Sequence, residues 1–200
     1  ALFSLLGRHG RQLHAYANGL DRSPVSSACQ ESAPKSIGNG LTFPRSLSGR
    51  EEICSGIAML SDRVAVRLRR AGMKAAGVSL AIRDPDFRDI SRQRRLEPPT
   101  CLARELSQAA VSLAEGCWNM DSPVRALTVT ALYLISEDQA GVQLDLLGQA
   151  DAPRRDRLER LDRTLDQIRA KYGRNAISPA SSAGVCQGGV QEEDEEGATS

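Results

Sequence analysis

Aromatic residues are scarce in this chain of 200 residues, where Phe, Trp and Tyr together account for 4%. Long apolar runs are missing as well, since no stretch approaches the roughly 20 residues of a membrane-spanning helix. The first residues lack the basic segment followed by an apolar segment that marks a secretory signal peptide. We therefore expect a cytoplasmic protein without membrane contact.

Cysteine is also rare, and it follows no recognisable spacing. No CxxC pair occurs, which argues against a structural zinc site, and an odd number of distant cysteines argues against a disulfide framework. We expect reduced thiols without a chemical role. The five positions are Cys29, Cys54, Cys101, Cys117 and Cys186.

Basic residues are lacking at the C-terminal end, where residues 178–200 hold five acidic residues and no basic one. The formal net charge of +1 therefore hides a surplus of six positive charges over residues 1–177, with 26 basic and 20 acidic residues. A basic folded part with an acidic tail favours a polyanionic partner, although many globular domains carry such a surplus.

Apolar periodicity predicts six elements in the order strand, helix, strand, strand, helix, strand. Their predicted positions are a strand at 36–43, a helix from a Ser48–Glu51 capping box to Gly72, a strand through Val78, Leu80 and Ile82, a strand at 89–96 ended by Pro98 and Pro99, a helix after Thr100, and a strand at 126–135. This order is typical of the split β-α-β-β-α-β fold. The predicted class is therefore α+β, with two helices on one face of a four-stranded antiparallel sheet.

Further segments flank this domain. A short N-terminal helical piece is predicted to break at Gly7 and Gly10, and an amphipathic C-terminal helix is predicted through Leu158, Leu161, Leu165 and Ile168. The predicted divisions are a helical segment at 1–22, a linker at 23–34, the split βαβ domain at 35–138, a connection at 139–152, the C-terminal helix at 153–177 and a disordered acidic tail at 178–200.

The face of the sheet that the helices leave open is predicted to be small and polar. Alternation in the last strand turns Tyr133 toward the helices with Leu127, Val129 and Ala131, so the open face should lack aromatics. Glycine inside a strand marks a place where a backbone or a ligand comes close. Such a face suits a sugar–phosphate backbone better than stacked bases. Its residues are Ser36, Gly38, Gly40, Thr42, Ser79, Ala81, Arg83, Thr128 and Thr130.

Several stretches, in order, resemble the little finger of the Y-family translesion DNA polymerases, and bacterial members in particular. They are KSIGNGLTFP (35–44), RLRRAGMKA (67–75), IRDPDF (82–87), RQRRLEPPT (92–100) and PVRALTV (123–129). The segment at 16–25 resembles the end of the thumb of that family, and the segment at 161–177 resembles the closing segment of many members.

This resemblance implies that the open sheet lies along a primer–template duplex and contacts phosphates, which position a protein without reading sequence. For the glycines, relief of a bulge at the sheet edge is the alternative. For the arginines, the alternative is a solvated edge strand that deters aggregation. Arg95 lies where relatives commonly carry a small residue. The implied DNA-binding residues are Ser36, Gly38, Gly40, Thr42, Arg83, Ser91, Arg92, Gln93 and Arg94.

The stretch QLDLL at 143–147 resembles the peptide with which family members bind the sliding clamp. The resemblance implies that Gln143 forms hydrogen bonds and that Leu144, Leu146 and Leu147 fill an apolar pocket. Leu147 stands where phenylalanine is usual, which should weaken the fit. The alternative is an apolar linker patch that packs on the last helix.

The palm carboxylates that hold two metal ions in this family have no counterpart in the sequence. The resemblance thus implies a DNA-binding part, without catalytic residues, of a DNA-directed DNA polymerase that uses Mg²⁺ at full length. Because the chain starts mid-pattern without Met, we expect a piece of a longer polymerase or a truncated product.

The expected partners are primer–template DNA and the sliding clamp, with the chain a monomer that serves in DNA repair and the SOS response. The alternative is a split βαβ RNA-binding or protein-interaction module without a polymerase parent, because this layout hosts many functions. An RNA reader should present aromatics on its open face.

Overall fold

The computed structural model describes residues 2–21, 34–137, 152–173 and 176–177. The chain forms two units, Ala1–Ala33 and Pro34–Ser200. The first unit contains helix α1 (Leu2–Ala17), whose backbone leaves the helical conformation at Gly7. The predicted second break at Gly10 was wrong, because one helical glycine costs about 1 kcal/mol relative to alanine and need not end a helix.

The second unit is built on one antiparallel sheet. Its elements are β1 (Ser36–Leu47), α2 (Arg50–Arg70), β2 (Met73–Arg83), β3 (Asp89–Thr100), α3 (Ala103–Cys117), β4 (Val124–Ser136) and α4 (Ala152–Tyr172). The strand order is β1-β4-β2-β3, so β1 and β3 are the two edges. This topology confirms the predicted α+β fold of the split βαβ type.

Helices α2 and α3 cover one face of the sheet because apolar residues alternate along the strands. The buried strand residues include Val78, Leu80, Ile82, Leu127 and Val129. They form one core with the apolar stripes of the two helices, which include Ile57, Leu60, Val64, Leu68, Leu106 and Ala110. Within the described part of the second unit, no helix covers the opposite face of the sheet.

Helix α2 begins differently from the prediction. Its N-cap is Gly49, which has φ 85°, and no side chain among the described residues caps it, so the predicted Ser48–Glu51 capping box is wrong. The extra residue between Ser48 and the helix lets Glu52 reach back instead, where its carboxylate accepts the Ser48 N–H at 3.0 Å. The carboxylate also accepts two bonds from Arg45, at 2.9 and 2.6 Å. The bonds from Arg45 and Ser48 lower the pKa of Glu52 to about 2.

Strand β3 continues through the two prolines that were predicted to end it. The pairing with β2 is interrupted between Ala75 and Gly77, so residues 96–99 have no pairing partner on the described β2 before Thr100 pairs with Ala75. Proline has no N–H to donate, but it is tolerated where an edge strand is irregular. The predicted boundary at 96 was therefore four residues too early.

Helix α4 is attached to the helical layer largely through ion pairs. At the centre lies Arg69 of α2, whose side chain is 5% exposed. Asp166 binds this guanidinium through both oxygens at 2.7 and 2.9 Å, and Asp162 binds it at 3.0 Å. We call this attachment the α4 seam. Its other pairs are Lys74–Glu159 at 2.8 Å, Arg155–Glu105 at 2.9 Å, Arg169–Asp62 at 2.8 Å and Arg163–Glu137.

The two aspartates of the seam differ in their environment. Burial raises the pKa of Asp162, although the charge of Arg69 lowers it. Burial alone would lower the pKa of Arg69, but the bond from Asp166 and the charges of both aspartates raise it above its ordinary value. Asp166, with two well-aligned bonds, is therefore the principal counter-ion. Asp162 also accepts the N–H of Ala103, the first residue of α3, at 3.4 Å.

The apolar stripe predicted for the last helix is incomplete. Leu158, Leu165 and Ile168 are half-buried, whereas Leu161 is 53% exposed, so its predicted place on the packed face was wrong. The buried face at that turn is occupied by the neighbouring Asp162 and its contacts to Arg69 and Ala103. The carboxylate of Asp162 and its polar contacts thus occupy the part of the interface that Leu161 was predicted to fill.

Candidate nucleic-acid interface

The open face of the sheet is organised as rows of cross-strand neighbours. Because strand residues alternate between faces, each row contributes one side chain per strand. Most residues of these rows are glycine, alanine or small hydroxyl residues, and Leu132, the cross-strand neighbour of both Ser36 and Gly77, is the apolar exception. From β1 to β3 the rows are Gly38–Thr130–Ser79–Gln93, Gly40–Thr128–Ala81–Ser91 and Thr42–Ala126–Arg83–Asp89, while Ser36 begins β1 on the same face.

The glycines of β1 are needed because two threonines lean over them. A Cβ at Gly38 would lie 2.8 Å from Oγ1 of Thr130, and a Cβ at Gly40 would lie 2.5 Å from Oγ1 of Thr128. Residues 36–42 pair with β4 without interruption, and the irregularity follows Thr42. The glycines therefore do not relieve a bulge. Part of what comes close to this strand is the chain's own β4.

Arg83, one of the predicted DNA-binding residues, already has an anionic partner. Its guanidinium donates to both oxygens of Asp89, at 2.7 and 2.8 Å. The bond raises the pKa of Arg83 and lowers the pKa of Asp89. Both side chains are exposed, so a phosphate would have to compete with Asp89 for this arginine.

The predicted residues of β3 lie on two different faces. Arg92 and Arg94 pair with Leu80 and Val78, whose side chains point to the helices, and Arg94 reaches Ser112 of α3 at 3.4 Å. Ser91 and Gln93 lie on the open face instead, opposite Ala81 and Ser79. The sequence held a signal for this division, because the half-buried Ile90 and Leu96 share the alternation of Arg92 and Arg94.

Three residues of the open face were missed from the sequence, namely Leu132, Tyr133 and Arg95. Tyr133 has φ 53°, which reverses the alternation of β4, so that Leu134 packs against the core and Tyr133 lies over Gly77. The predictions that Tyr133 faces the helices and that the open face lacks aromatics were therefore wrong. Arg95, which pairs with Gly77, lies over the Tyr133 ring with 5.1 Å between Cζ and the ring centroid.

The β3 edge carries positive charge that no acidic side chain of the described residues neutralises. Arg92, Arg94 and Arg95 are exposed, and none of them has an ion pair within the described ranges. An edge strand also presents alternate backbone N–H groups outward. Along this edge Arg95 lies on the open face and Arg92 and Arg94 lie on the helix side, so their guanidinium groups and the outward peptide N–H groups are suited to phosphates that follow the edge, and phosphate contacts carry no sequence information.

Other predicted segments lie outside the described residues. These are the clamp-peptide residues Gln143, Leu144, Leu146 and Leu147, most of the linker, and the acidic tail. Within the described ranges, no helix combines the length and apolar character needed to cross a membrane.

Comparison with known proteins addresses the family. Residues 34–146 match the model of the impB/mucB/samB family C-terminal domain. The chain is 37% identical over 168 residues to DNA polymerase IV of Acetivibrio thermocellus, covering 84% of this chain and 41% of that protein. It is 36% identical over 191 residues to DNA polymerase IV of Moorella thermoacetica, covering 94% of this chain and 46% of that protein.

The chain thus spans less than half the length of these curated relatives, and the match includes the whole described sheet. The resemblance drawn from the five sequence stretches is confirmed. The chain belongs to the impB/mucB/samB family and corresponds to the C-terminal part of the Y-family polymerases.

Proposed function

We propose that this chain grips primer–template duplex DNA by its sugar–phosphate backbone, as the DNA-binding part of a translesion DNA polymerase. The observation that carries the proposal is the small polar floor of the open sheet face, which ends at the β3 edge, where Arg95 lies on that face and Arg92 and Arg94 lie on the helix side. The relatives are named DNA polymerase IV, which supports a DNA polymerase as the parent. The same proposal includes damage bypass as part of DNA repair and the SOS response. It places the protein in the cytoplasm.

The test is fluorescence anisotropy of the full 200-residue chain on a labelled primer–template duplex across a salt series. We expect binding that is indifferent to sequence and whose logarithm falls linearly with the logarithm of salt concentration. Each neutralised phosphate contributes about −0.9 to that slope for duplex DNA, so the slope counts the phosphates engaged. Absence of binding at low salt would contradict the proposal.

An RNA-binding module remains the alternative, and the same assay separates the two. Single-stranded RNA is usually read by stacking of bases on several aromatic side chains. In the described part of the open face the one aromatic ring is Tyr133, and Arg95 lies over it. We therefore expect weaker binding to single-stranded RNA than to duplex DNA of equal length. Preference for the RNA would favour the alternative.

Magnesium chemistry belongs, in this proposal, to the rest of the polymerase. In the described residues of this chain, no three or more His, Cys, Asp or Glu side chains come together as a possible metal site. The donor set of this part therefore does not fit the family's catalytic magnesium, and we assign no catalytic step to it.

Sliding-clamp binding by residues 143–147 is a further part of the proposal and rests on the sequence pattern. Gln143 would form hydrogen bonds, and Leu144, Leu146 and Leu147 would enter an apolar pocket. Changing Leu146 and Leu147 to alanine should abolish capture by immobilised sliding clamp while duplex binding persists. If both activities fell together, the segment would instead have a structural role.

A further inference from the structure

We infer that Arg95 and Tyr133 act as one unit, in which Tyr133 is a positioning residue that holds the Arg95 guanidinium over the open face to bind a DNA phosphate. This inference deepens the proposed function and rests on it, because the anion it assigns to Arg95 belongs to the duplex. It adds a contact at the end of the sheet where β2 begins, on a residue pair that the sequence patterns did not assign to DNA.

The backbone at Tyr133 has a conformation that is rare for a residue of this size. A φ of 53° is a genuine outlier for a bulky residue, and such conformations cost of order 1–3 kcal/mol. Yet the side chain placed by this conformation remains 48% exposed. The same conformation lets Leu134 pack against the core and leaves the Tyr133 ring beside Gly77 on the open face, where it lies under Arg95.

Gly77 makes room for the ring. A Cβ at Gly77 would lie 2.7 Å from Cδ2 and 3.1 Å from Cε2 of Tyr133. Gly77 is also the cross-strand partner of Arg95. A missing side chain on β2 and a left-handed residue on β4 thus together place the ring next to the arginine of β3.

A cation–π contact leaves an arginine able to bind an anion. The Tyr133 ring attracts the Arg95 guanidinium electrostatically and forms no ion pair with it, so the N–H donors remain available to an anion. Arg83 illustrates the contrast on the same face, since its donors are taken up by both oxygens of Asp89. Arg95 has no ion pair among the described residues, so the ring orders this guanidinium without neutralising it.

The experiment measures duplex binding across a salt series for the full chain and for Arg95→Ala, Tyr133→Asn, Tyr133→Phe and the double variant Arg95→Ala with Tyr133→Asn. Arg95→Ala should weaken binding about tenfold and reduce the salt slope by about one. Tyr133→Asn should give a comparable loss, and the double variant should lose no more than either single one. Tyr133→Phe keeps the ring and should bind like the unchanged chain.

Asparagine is chosen because it tolerates a left-handed backbone better than tyrosine does. Tyr133→Asn should therefore unfold at the same or a higher urea concentration than the unchanged chain, although it binds DNA less tightly. If Tyr133 had only a structural role, Tyr133→Asn would bind DNA less tightly and would also unfold at a lower urea concentration. Gly77→Ala provides an independent variant, because its Cβ would displace the ring and should reproduce the binding loss.

The outcomes separate the two levels of the proposal. If the unchanged chain fails to bind duplex DNA, the proposed function fails. If it binds and either Arg95→Ala or Tyr133→Asn binds equally well, the inference about this pair is overturned while the proposed function stands. Additive losses in the double variant would also overturn it, because the ring would then act independently of the arginine.

Discussion

Arginine occupies two contrasting regions of this protein. In the α4 seam, Arg69 is 5% exposed and two aspartates surround its guanidinium. At the β3 edge, Arg92, Arg94 and Arg95 are exposed and have no ion pair in the part of the chain that the structure describes. The guanidinium in the α4 seam is neutralised within the fold, whereas the described guanidinium groups of the β3 edge are exposed to solvent and available to an external anion.

The difference shows that partner and burial, rather than residue type, determine what an arginine does. A buried guanidinium must be paired, because an uncompensated charge in the interior is costly. An exposed guanidinium costs little to leave unpaired and contributes little to folding. We therefore expect changes in the seam to affect stability and changes at the edge to affect DNA binding.

The largest effect is expected from Asp166→Ala in the seam. Removing the principal counter-ion of Arg69 should lower the free energy of unfolding by about 3 kcal/mol, because it leaves a buried charge poorly compensated. The measurement is urea unfolding of the full chain followed by the fluorescence of its single tryptophan, Trp118, which is half-buried after α3.

Asp162→Asn is the matched control. Burial already raises the pKa of Asp162, and an amide oxygen can still accept the Ala103 N–H. We expect a loss below about 1 kcal/mol. Equal losses in the two variants would mean that Arg69 depends on both aspartates alike.

The next largest effect is expected at the β3 edge. Arg92→Ala combined with Arg94→Ala should weaken binding to all duplex sequences alike and reduce the salt slope by about two, if each arginine engages one phosphate. Because both side chains are exposed, the free energy of unfolding should change by less than about 0.5 kcal/mol.

The lysine pair Arg92→Lys with Arg94→Lys keeps both charges and serves as the control. It should retain most of the salt slope. A loss of binding by the alanine pair that is confined to one DNA sequence would contradict a backbone contact. A large loss of stability in the alanine pair would mean that the β3 edge, like the α4 seam, contributes to folding.

A smaller effect is expected at the glycines of the open face. Gly40→Ala places a Cβ 2.5 Å from Oγ1 of Thr128, so it should cost about 1 kcal/mol of stability. Adding Thr128→Ala removes the clash and should restore stability in the same urea experiment. If duplex binding stays weak in the restored double variant, the close approach of DNA also requires Gly40 or Thr128. If binding recovers, the glycine serves the sheet alone.

The smallest effect is expected from an exposed ion pair. The pKa of Glu52 is lowered to about 2 by Arg45 and the Ser48 N–H, from an ordinary value of 4.5. Its contribution to stability is therefore complete above pH 4.5 and is lost as the pH falls toward 2. Glu52→Gln should reduce the pH dependence of urea unfolding in that window. Parallel curves for the two proteins would show that this pair, unlike the seam, adds nothing to stability.

Much of the fold followed from local patterns in the sequence. Alternation in β1, β2 and β4 and helical periodicity in α2 and α3 identified the six elements, because one face of each element is buried and the other is not. The same alternation predicted the small polar floor of the open face. The start of α2 and the end of β3 were predicted less well. Whether Gly49 caps the helix and whether Pro98 is tolerated in the strand depend on the local backbone geometry and strand pairing.

The candidate site was harder to predict. Both faces of β3 carry polar residues at the edge, so Arg92, Gln93 and Arg94 looked like one group although they point to two faces. The alternation of Ile90 and Leu96 held the correct answer. No local sequence pattern predicts a left-handed tyrosine. That one backbone angle brings Tyr133 to the open face.

The sequence by itself determined the layers of this protein, because burial of apolar side chains imposes a period that short stretches already display. Only the tertiary structure decided which charges meet. The pairing of Arg69 with Asp166, nearly a hundred residues apart, and the cation–π contact of Arg95 with Tyr133 depend on strand register and helix docking. Charge has no period along the chain, so whether an arginine is neutralised or left for a phosphate is settled when distant segments come together.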